Sequence, residues 1–209
     1  LGLYITGFRY DLPNLLFAVA VGLCLVAGYC LLGASWLIMK TTGNLQLRAI
    51  YWARRSLWLT AIGVAAISIV TPMVSERIFE KWFSLPNIIL LAPIPLLTMV
   101  LFVVIERLLR RMRDLHANGN DRWCWVPFVG TAVIFLLAFN GLAYSLFPYL
   151  VVDRIDIWQA ASAPESLMVI LIGAVIVLPT ILGYTAYAYR VFWGKATDFD
   201  TSEMMLGRW

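Results

Sequence analysis

The sequence predicts an all-α protein, a polytopic bundle of transmembrane helices. Of its 209 residues, 62% are hydrophobic and 13% are charged, whereas soluble domains carry roughly 25% charged residues. Long apolar stretches recur along the chain, and we find none of the alternating segments of about ten residues that a membrane β-barrel requires. Backbone polar groups in hydrocarbon must be hydrogen-bonded within their own segment, so these stretches are expected to be helices.

About five spans are predicted. The first is the clearest, because no charged residue lies between Asp11 and Lys40. At 1.5 Å per residue this stretch exceeds the roughly 30 Å of a bilayer core. The spans are Leu15–Met39, Leu57–Val74, Ile88–Ile105, Val126–Phe147 and Leu167–Tyr189. We expect residues 1–209 to form a single transmembrane helical domain.

The charges of the connections predict the orientation in the membrane. The first and third connections are rich in arginine and lysine, whereas the second and fourth are balanced or acidic. Cytoplasmic loops carry the excess of basic residues, so we expect the N-terminus outside and the C-terminus in the cytoplasm. The basic residues are Lys40, Arg48, Arg54 and Arg55 in the first connection and Arg107, Arg110, Arg111, Arg113 and Arg122 in the third.

Four prolines and one turn predict where the helices begin, kink or end. Pro127 lies in the first turn of the fourth span, where its missing N–H costs no hydrogen bond. Pro93 and Pro95 in the third span and Pro179 in the fifth are expected to kink their helices. The first connection is expected to extend the two helices that it joins, with a turn at Thr42-Gly43.

None of the five spans contains Asp, Glu, Lys, Arg or His. Such residues inside a membrane mark proton relays and ion sites. Glu106, at the edge of the third span, is the closest acid, and we expect it to form an ion pair with its neighbour Arg107. Asn140 in the fourth span is expected to bond to a neighbouring helix, with a cavity for quinone or water as the alternative.

No catalytic, cofactor-binding or metal-binding residue is predicted. His116, the single histidine, lies in a basic loop, whereas a haem buried in the membrane needs a ligand at membrane depth. Met99 and Met168 are expected to pack or face lipid. Two of the cysteines are six residues apart, which separates them by about 120° around a helix, so a disulfide between them is not expected. All three are predicted to be buried structural thiols: Cys24, Cys30 and Cys124.

The basic residues do not require a nucleic-acid partner, because loop topology accounts for the net charge of +4. One cluster is also suited to anionic lipid head groups, each contact being worth about 1 kcal/mol. The roles of topology determinant and lipid site are compatible. The cluster consists of Arg107, Arg110, Arg111 and Arg113.

Two blocks resemble a known family. The first, Gly28–Ala49, contains Gly-x-x-Trp-Leu-x-x-Lys-Thr from Gly33, Gly-x-Leu-Gln from Gly43, and Arg48-Ala49. The second, Ser145–Ala196, contains the pairs and short runs Phe147-Pro148, Ile157-Trp158, Ala160-Ala161-Ser162, Ser166-Leu167, Leu178-Pro179 and Tyr189…Phe192-x-Gly194-Lys195. Both blocks resemble subunit II of the cytochrome bd-type quinol oxidases, most closely the cyanide-insensitive branch.

The resemblance implies a non-haem subunit of a complex in the bacterial cytoplasmic membrane that oxidises quinol and reduces dioxygen to water. It implies haems b and d on the partner, subunit I, and a role for this chain in assembly and in proton and oxygen access. Subunit II of the family is longer. The chain opens on Leu1, and we expect it to be the C-terminal part of such a subunit, without the acidic residues of the proton path.

Two alternatives remain at this stage. A fragment of a polytopic transporter or permease would show broken helices, for which Pro93 and Pro95 are the only hint. A lipid-binding assembly factor is supported only by the arginine cluster.

Overall fold

The computed structural model describes residues 2–8, 10–74, 76–85, 87–117, 122–151, 155–192 and 194. These residues are mostly helical, which confirms the predicted all-α class. The elements are α1 (Gly2–Ile5), α2 (Leu12–Lys40), α3 (Gly43–Val74), α4 (Glu76–Phe83), α5 (Asn87–Leu91), α6 (Pro93–Ala117), α7 (Val126–Leu146), β1 (Tyr149–Val151), β2 (Ile155–Asp156), α8 (Ile157–Ala160) and α9 (Pro164–Val191).

Four helices in the described ranges are long and apolar enough to cross a membrane. They are Leu12–Lys40, Gly43–Met73, Val126–Leu146 and Pro164–Val191. These helices correspond to the predicted first, second, fourth and fifth spans. The polytopic bundle is therefore confirmed, with four membrane-length apolar helices instead of five in this part of the chain.

The predicted third span, Ile88–Ile105, is wrong as one continuous helix. The chain forms α5, turns at Ala92 and begins α6 at Pro93. The interruption is one residue long, and hydrogen bonds from Ala92 N to Ile88 O at 2.8 Å and from Leu96 N to Ala92 O at 3.3 Å run across it. Pro93 and Pro95 lack an N–H, so they interrupt the helix at the place where a kink was predicted. The charged residues from Glu106 onward occupy the second half of α6. This helix is therefore not apolar over a length that would cross a membrane.

Helices α2 and α3 form a hairpin. Thr41 and Thr42 separate them, and Gly43 begins α3 with a φ of 65°, a left-handed value that glycine adopts without strain. The predicted turn is confirmed. Further along, Gly63 of α3 lies so close to Cys24 of α2 that an added Cβ would collide with the Cys24 side chain. Small residues allow this kind of close approach between membrane helices.

The main core lies where α2, α3, α6 and α7 meet. Glycine again allows the contact, because a Cβ on Gly130 of α7 would come within 2.9 Å of Ile105 Cδ1 of α6. The buried residues of this core are Leu31, Ala34, Ile38, Ala49, Ile50, Ala53, Leu57, Ile105, Leu109, Met112, Cys124 and Ile134.

A smaller cluster closes the opposite end of the bundle. Ile78 of α4 packs against Leu146 at the end of α7, and Trp82 Nε1 donates a hydrogen bond of 2.8 Å to Ser145 Oγ. Strands β1 and β2 follow as an antiparallel pair. The sequence interpretation contained no strand, because five residues are too few to show alternation.

Helix α9 differs from the other long helices. Every described residue from Pro164 to Val191 is exposed except Ala174 and Ala188, which are half-buried. Pro179 lies inside the helix, as predicted. The bundle therefore covers almost none of this helix.

Candidate functional site

One end of the bundle collects most of the described basic residues, and we call it the basic end. Helices α2, α6 and α9 end there, while α3 and α7 begin there. The two basic connections thus lie on the same side of the bundle, as the sequence predicted. That the basic end faces the cytoplasm remains a prediction from the charges of the connections. The described residues concerned are Lys40, Arg48, Arg54, Arg55, Arg107, Arg110, Arg111, Arg122 and Arg190.

Glu106 is the centre of an ion-pair cluster at the basic end. Its Oε1 accepts hydrogen bonds from Arg54 Nη2 at 3.1 Å and from Arg110 Nε at 2.8 Å. The predicted pairing with Arg107 is wrong. Residues four apart on a helix lie one above the other, whereas adjacent residues point about 100° apart. Arg110 therefore reaches Glu106, and the second partner comes from α3.

The two arginines keep Glu106 charged. Burial of the carboxylate raises the pKa of Glu106, but the hydrogen bonds from Arg110 and Arg54 and their positive charges lower it by more. The net result is a pKa below the usual glutamate value. The Glu106 side chain is only 11% exposed, and its Oε2 has no hydrogen-bond partner. Glu106 thus presents one unused acceptor inside the protein.

Gln46 joins three segments at the same end. It is 1% exposed, and its Nε2 donates to the carbonyl oxygen of Ile38 at 2.9 Å and to Cys124 Sγ at 3.4 Å. The side chain therefore connects the end of α2 and the start of α3 to the segment before α7. Its Oε1 is buried without a hydrogen-bond partner, so the two bonds of Nε2 are the polar contacts by which Gln46 holds these segments together.

Lys40 links α2 to the end of α9. Its Nζ donates hydrogen bonds to the carbonyl oxygens of Phe192 at 2.7 Å and Gly194 at 3.1 Å. The last carbonyls of a helix lack partners within the helix, and a positive charge is favourable beside them. Lys40 Nζ also lies 5.3 Å from the Trp36 ring centroid, and Trp36 contacts Tyr189 edge-on at 5.4 Å.

Comparison with known proteins now assigns a family. A family model for cytochrome bd terminal oxidase subunit II matches residues 1–192. The chain belongs to the cytochrome bd terminal oxidase subunit II family. No curated protein matches the chain in a sequence comparison.

Membership in the bd oxidase subunit II family makes the chain a component of a respiratory oxidoreductase complex. Together with the four apolar helices, it supports a multi-pass location in the bacterial cytoplasmic membrane. The two blocks that carry the resemblance meet at the basic end. Trp36 and Lys40 of the first block contact Tyr189, Phe192 and Gly194 of the second, so these residues hold the end of α9 against α2.

The residues weighed as haem ligands are not brought together. Met99 on α6 is 68% exposed and Met168 on α9 is 59% exposed, and the side chain of His116 lies outside the described residues. Within the part of the chain that the structure describes, no group of three His, Cys, Asp or Glu side chains is placed to hold a metal ion. That this subunit binds no haem stays a prediction.

Two expectations about polar side chains are wrong. Cys124 is buried as predicted, but Cys24 is half-buried and Cys30 is exposed, because the face of α2 that carries Cys30 is not covered by the chain. Asn140 is exposed, and its Nδ2 donates to the carbonyl oxygen of Leu136 in its own helix at 2.8 Å. A bond within the helix replaces the predicted bond to a neighbouring one.

The sequence interpretation missed the role of Gln46. Its only signal was a place in the Gly-x-Leu-Gln part of the first block. Its partners Ile38 and Cys124 are set by the hairpin turn and by the arrival of α7, and neither is visible in local periodicity. The capping contact between Lys40 and Phe192 was missed for the same reason, since 152 residues separate the partners.

Proposed function

We propose that this chain is the haem-free membrane subunit of a terminal oxidase that oxidises quinol and reduces dioxygen to water, and that it contacts the haem-bearing subunit through α9. The exposure of α9 is the observation that carries the proposal. A helix of 28 residues is apolar all round, and its own bundle covers only the positions of Ala174 and Ala188.

The contacts of α9 support a role as an interface. At one end the helix is held by Lys40 and by the Trp36–Tyr189 ring contact. Between Glu165 and Arg190 it carries no charged residue. The helix is bonded to the bundle at one end and exposed along the rest of its length. Such an apolar helix is suited to packing against another membrane subunit.

Small residues mark the side of α9 that would meet the partner. Gly173, Thr180 and Gly183 lie within about 80° of one another at 100° per residue. Gly183 is on the side of the helix opposite Ala174 and Ala188, about 140–180° away, whereas Gly173 lies about 60–100° from them. A Cβ on Gly173 or Gly183 would meet no atom of this chain within 4 Å. Thr180 Oγ1 donates to the carbonyl oxygen of Ile176 at 2.7 Å, so its hydroxyl does not resist contact with an apolar neighbour.

The chemistry is assigned to the partner. Haems b and d and the quinol-oxidising chemistry belong to the haem-bearing subunit in this proposal, and the present chain holds that subunit in place and helps form its proton and oxygen routes. Family membership supports this division. In this proposal residues 1–209 act as one membrane domain.

Co-purification tests the proposal. The full chain, co-expressed with the haem-bearing subunit, should carry with it absorbance typical of b- and d-type haems. Gly183→Leu on α9 should lower the haem recovered per chain by about tenfold, because overpacking of 1–3 kcal/mol corresponds to such a change. Gly22→Leu on the exposed face of α2, where a Cβ also meets nothing within 4 Å, is the matched control and should not lower it.

Three results would contradict the proposal. Equal haem recovery with both variants would show that α9 faces lipid. Absence of a haem protein beside the wild-type chain would exclude the partner role. A stoichiometric haem and a Soret band in the chain expressed alone would show that the chemistry is not confined to the partner.

A further inference from the structure

A long cavity lies between α3, α6 and α7. Its volume is about 770 Å³, within the 300–1,000 Å³ typical of ligand pockets. Apolar side chains such as Leu57, Phe102 and Leu137 form most of its walls. Two threonines in the wall, Thr71 and Thr98, donate their hydroxyl groups to carbonyl oxygens of their own helices, so they add little polarity.

The two ends of this cavity differ in charge. Ile94 and Arg110 both line it, and their separation of 16 positions corresponds to about 24 Å along α6. At the far end Trp82 Nε1 is bonded to Ser145 Oγ at 2.8 Å, which is a neutral, satisfied pair. At the basic end the lining contains Glu106, Arg107 and Arg110.

The charges of the described side chains at the basic end do not cancel. Among them, Arg54, Arg107 and Arg110 outnumber the carboxylate of Glu106 by two positive charges. Glu106 Oε1 is used by Arg54 and Arg110, while the buried Oε2 has no partner. The end of the cavity therefore offers positive charge for an anion, while the protein encloses Glu106 Oε2.

We propose that the cavity holds an acyl chain of an anionic phospholipid of the phosphatidylglycerol type. The phosphate lies at Arg107 and Arg110, which suit phosphate oxygens. The uncharged part of the cavity along α6, an apolar slot, runs from Ile94 to Val103, about 14 Å at 1.5 Å per residue. This length fits one leaflet, which is about half of the 30 Å bilayer core, and so suits one acyl chain. An uncharged isoprenoid would fill the slot but bring no anion to Arg107, which, unlike Arg110, has no ion pair with Glu106.

Only part of the predicted arginine cluster belongs to this site. Arg107 and Arg110 line the cavity, whereas Arg111 is exposed on the same helix and is not part of the lining. The side chain of Arg113 lies outside the described residues. Arg111 therefore provides a control with the same charge at nearly the same depth.

Native mass spectrometry of the full chain in detergent tests the proposal. The probes are phosphatidylglycerol, phosphatidylethanolamine with the same acyl chains, and a long-chain isoprenoid quinone. We expect one phosphatidylglycerol to remain bound and to resist exchange with the other two. Arg107→Gln should weaken it about fivefold, the equivalent of one arginine contact, while Arg111→Gln should leave its affinity unchanged.

A second pair of variants tests the slot. Ala61→Phe places a ring in the cavity wall and should abolish retention, while Ala66→Phe on an exposed face of the same helix should not. Equal binding of the two phospholipids would overturn the proposal. Equal effects of Arg107→Gln and Arg111→Gln, or displacement of phosphatidylglycerol by the quinone, would overturn it as well. If Ala61→Phe does not fold, the comparison of Arg107→Gln with Arg111→Gln still tests the proposal.

Discussion

Helices α3 and α9 have similar lengths, 32 and 28 residues, and both are apolar enough to cross a membrane. Their surroundings are opposite. Ala49, Ile50, Ala53 and Leu57 of α3 are at most 2% exposed, whereas α9 has no buried residue. Hydropathy therefore reports that a segment suits the bilayer, and does not report whether protein or lipid covers it.

The polar and glycine contacts of the two helices account for the difference. Gln46 and Arg54 of α3 bond to α2 and α6, and Gly63 allows α2 to come close. Helix α9 receives a cap at its last turn from Lys40. In lipid, where apolar surfaces gain little from meeting each other, such contacts and close packing decide which helices associate.

The largest expected effect is that of Gly63→Leu. A leucine there must displace the Cys24 side chain and separate α2 from α3, and we expect the free energy of unfolding of the isolated chain to fall by about 3 kcal/mol or more. Gly173→Leu on α9, where a Cβ meets nothing, should change it by less than about 0.5 kcal/mol. Titration with a denaturing detergent measures both. Equal losses would mean that α9 is as packed as α3.

Much of this architecture could be predicted because it depends on neighbouring residues. The uncharged stretch before Lys40, the turn at Gly43 and Pro127 at the start of a helix are local signals, and all agree with the structure. The kink predicted at Pro93 and Pro95 is a full interruption at Ala92 in the structure; the sequence shows where a proline disturbs a helix, but not how far the two parts separate. The partnership of Glu106 with Arg54, 52 residues away, depends on how the helices pack, which local periodicity does not contain.

A smaller effect is expected for Glu106→Gln, which removes the charge shared by Arg54 and Arg110. Hydrogen bonds to charged groups contribute about 1.5–3 kcal/mol, but the Arg110 side chain is 62% exposed, so solvent screens part of its contribution. We expect a loss of about 2 kcal/mol at neutral pH in the same titration. Glu165→Gln in the exposed first turn of α9 is the control, with less than about 0.5 kcal/mol.

The pH dependence of stability separates this charge effect from packing. The folded pKa of Glu106 is lowered, so its contribution is complete above the unfolded value of about 4.3 and is lost as the pH falls from there through the folded pKa. Wild type should therefore lose its advantage over Glu106→Gln in acid below about pH 4.3. If the difference in free energy of unfolding between wild type and Glu106→Gln is the same above and below about pH 4.3, the charge explanation is refuted.

The smallest expected effect is that of Lys40→Met, which keeps the side-chain stem beside Trp36 and removes the cap on α9. A charge at a helix end contributes about 0.3–1 kcal/mol, so amides in the last turn of α9, including that of Phe192, should exchange hydrogen about two- to fivefold faster. Lys40→Arg keeps the charge and should exchange like wild type. Because the loss is confined to one end of an otherwise uncovered helix, the amides of α2 and α3 should be unchanged. Faster exchange spreading into α3 would show instead that α9 supports the bundle, and the contrast between the two helices would not hold.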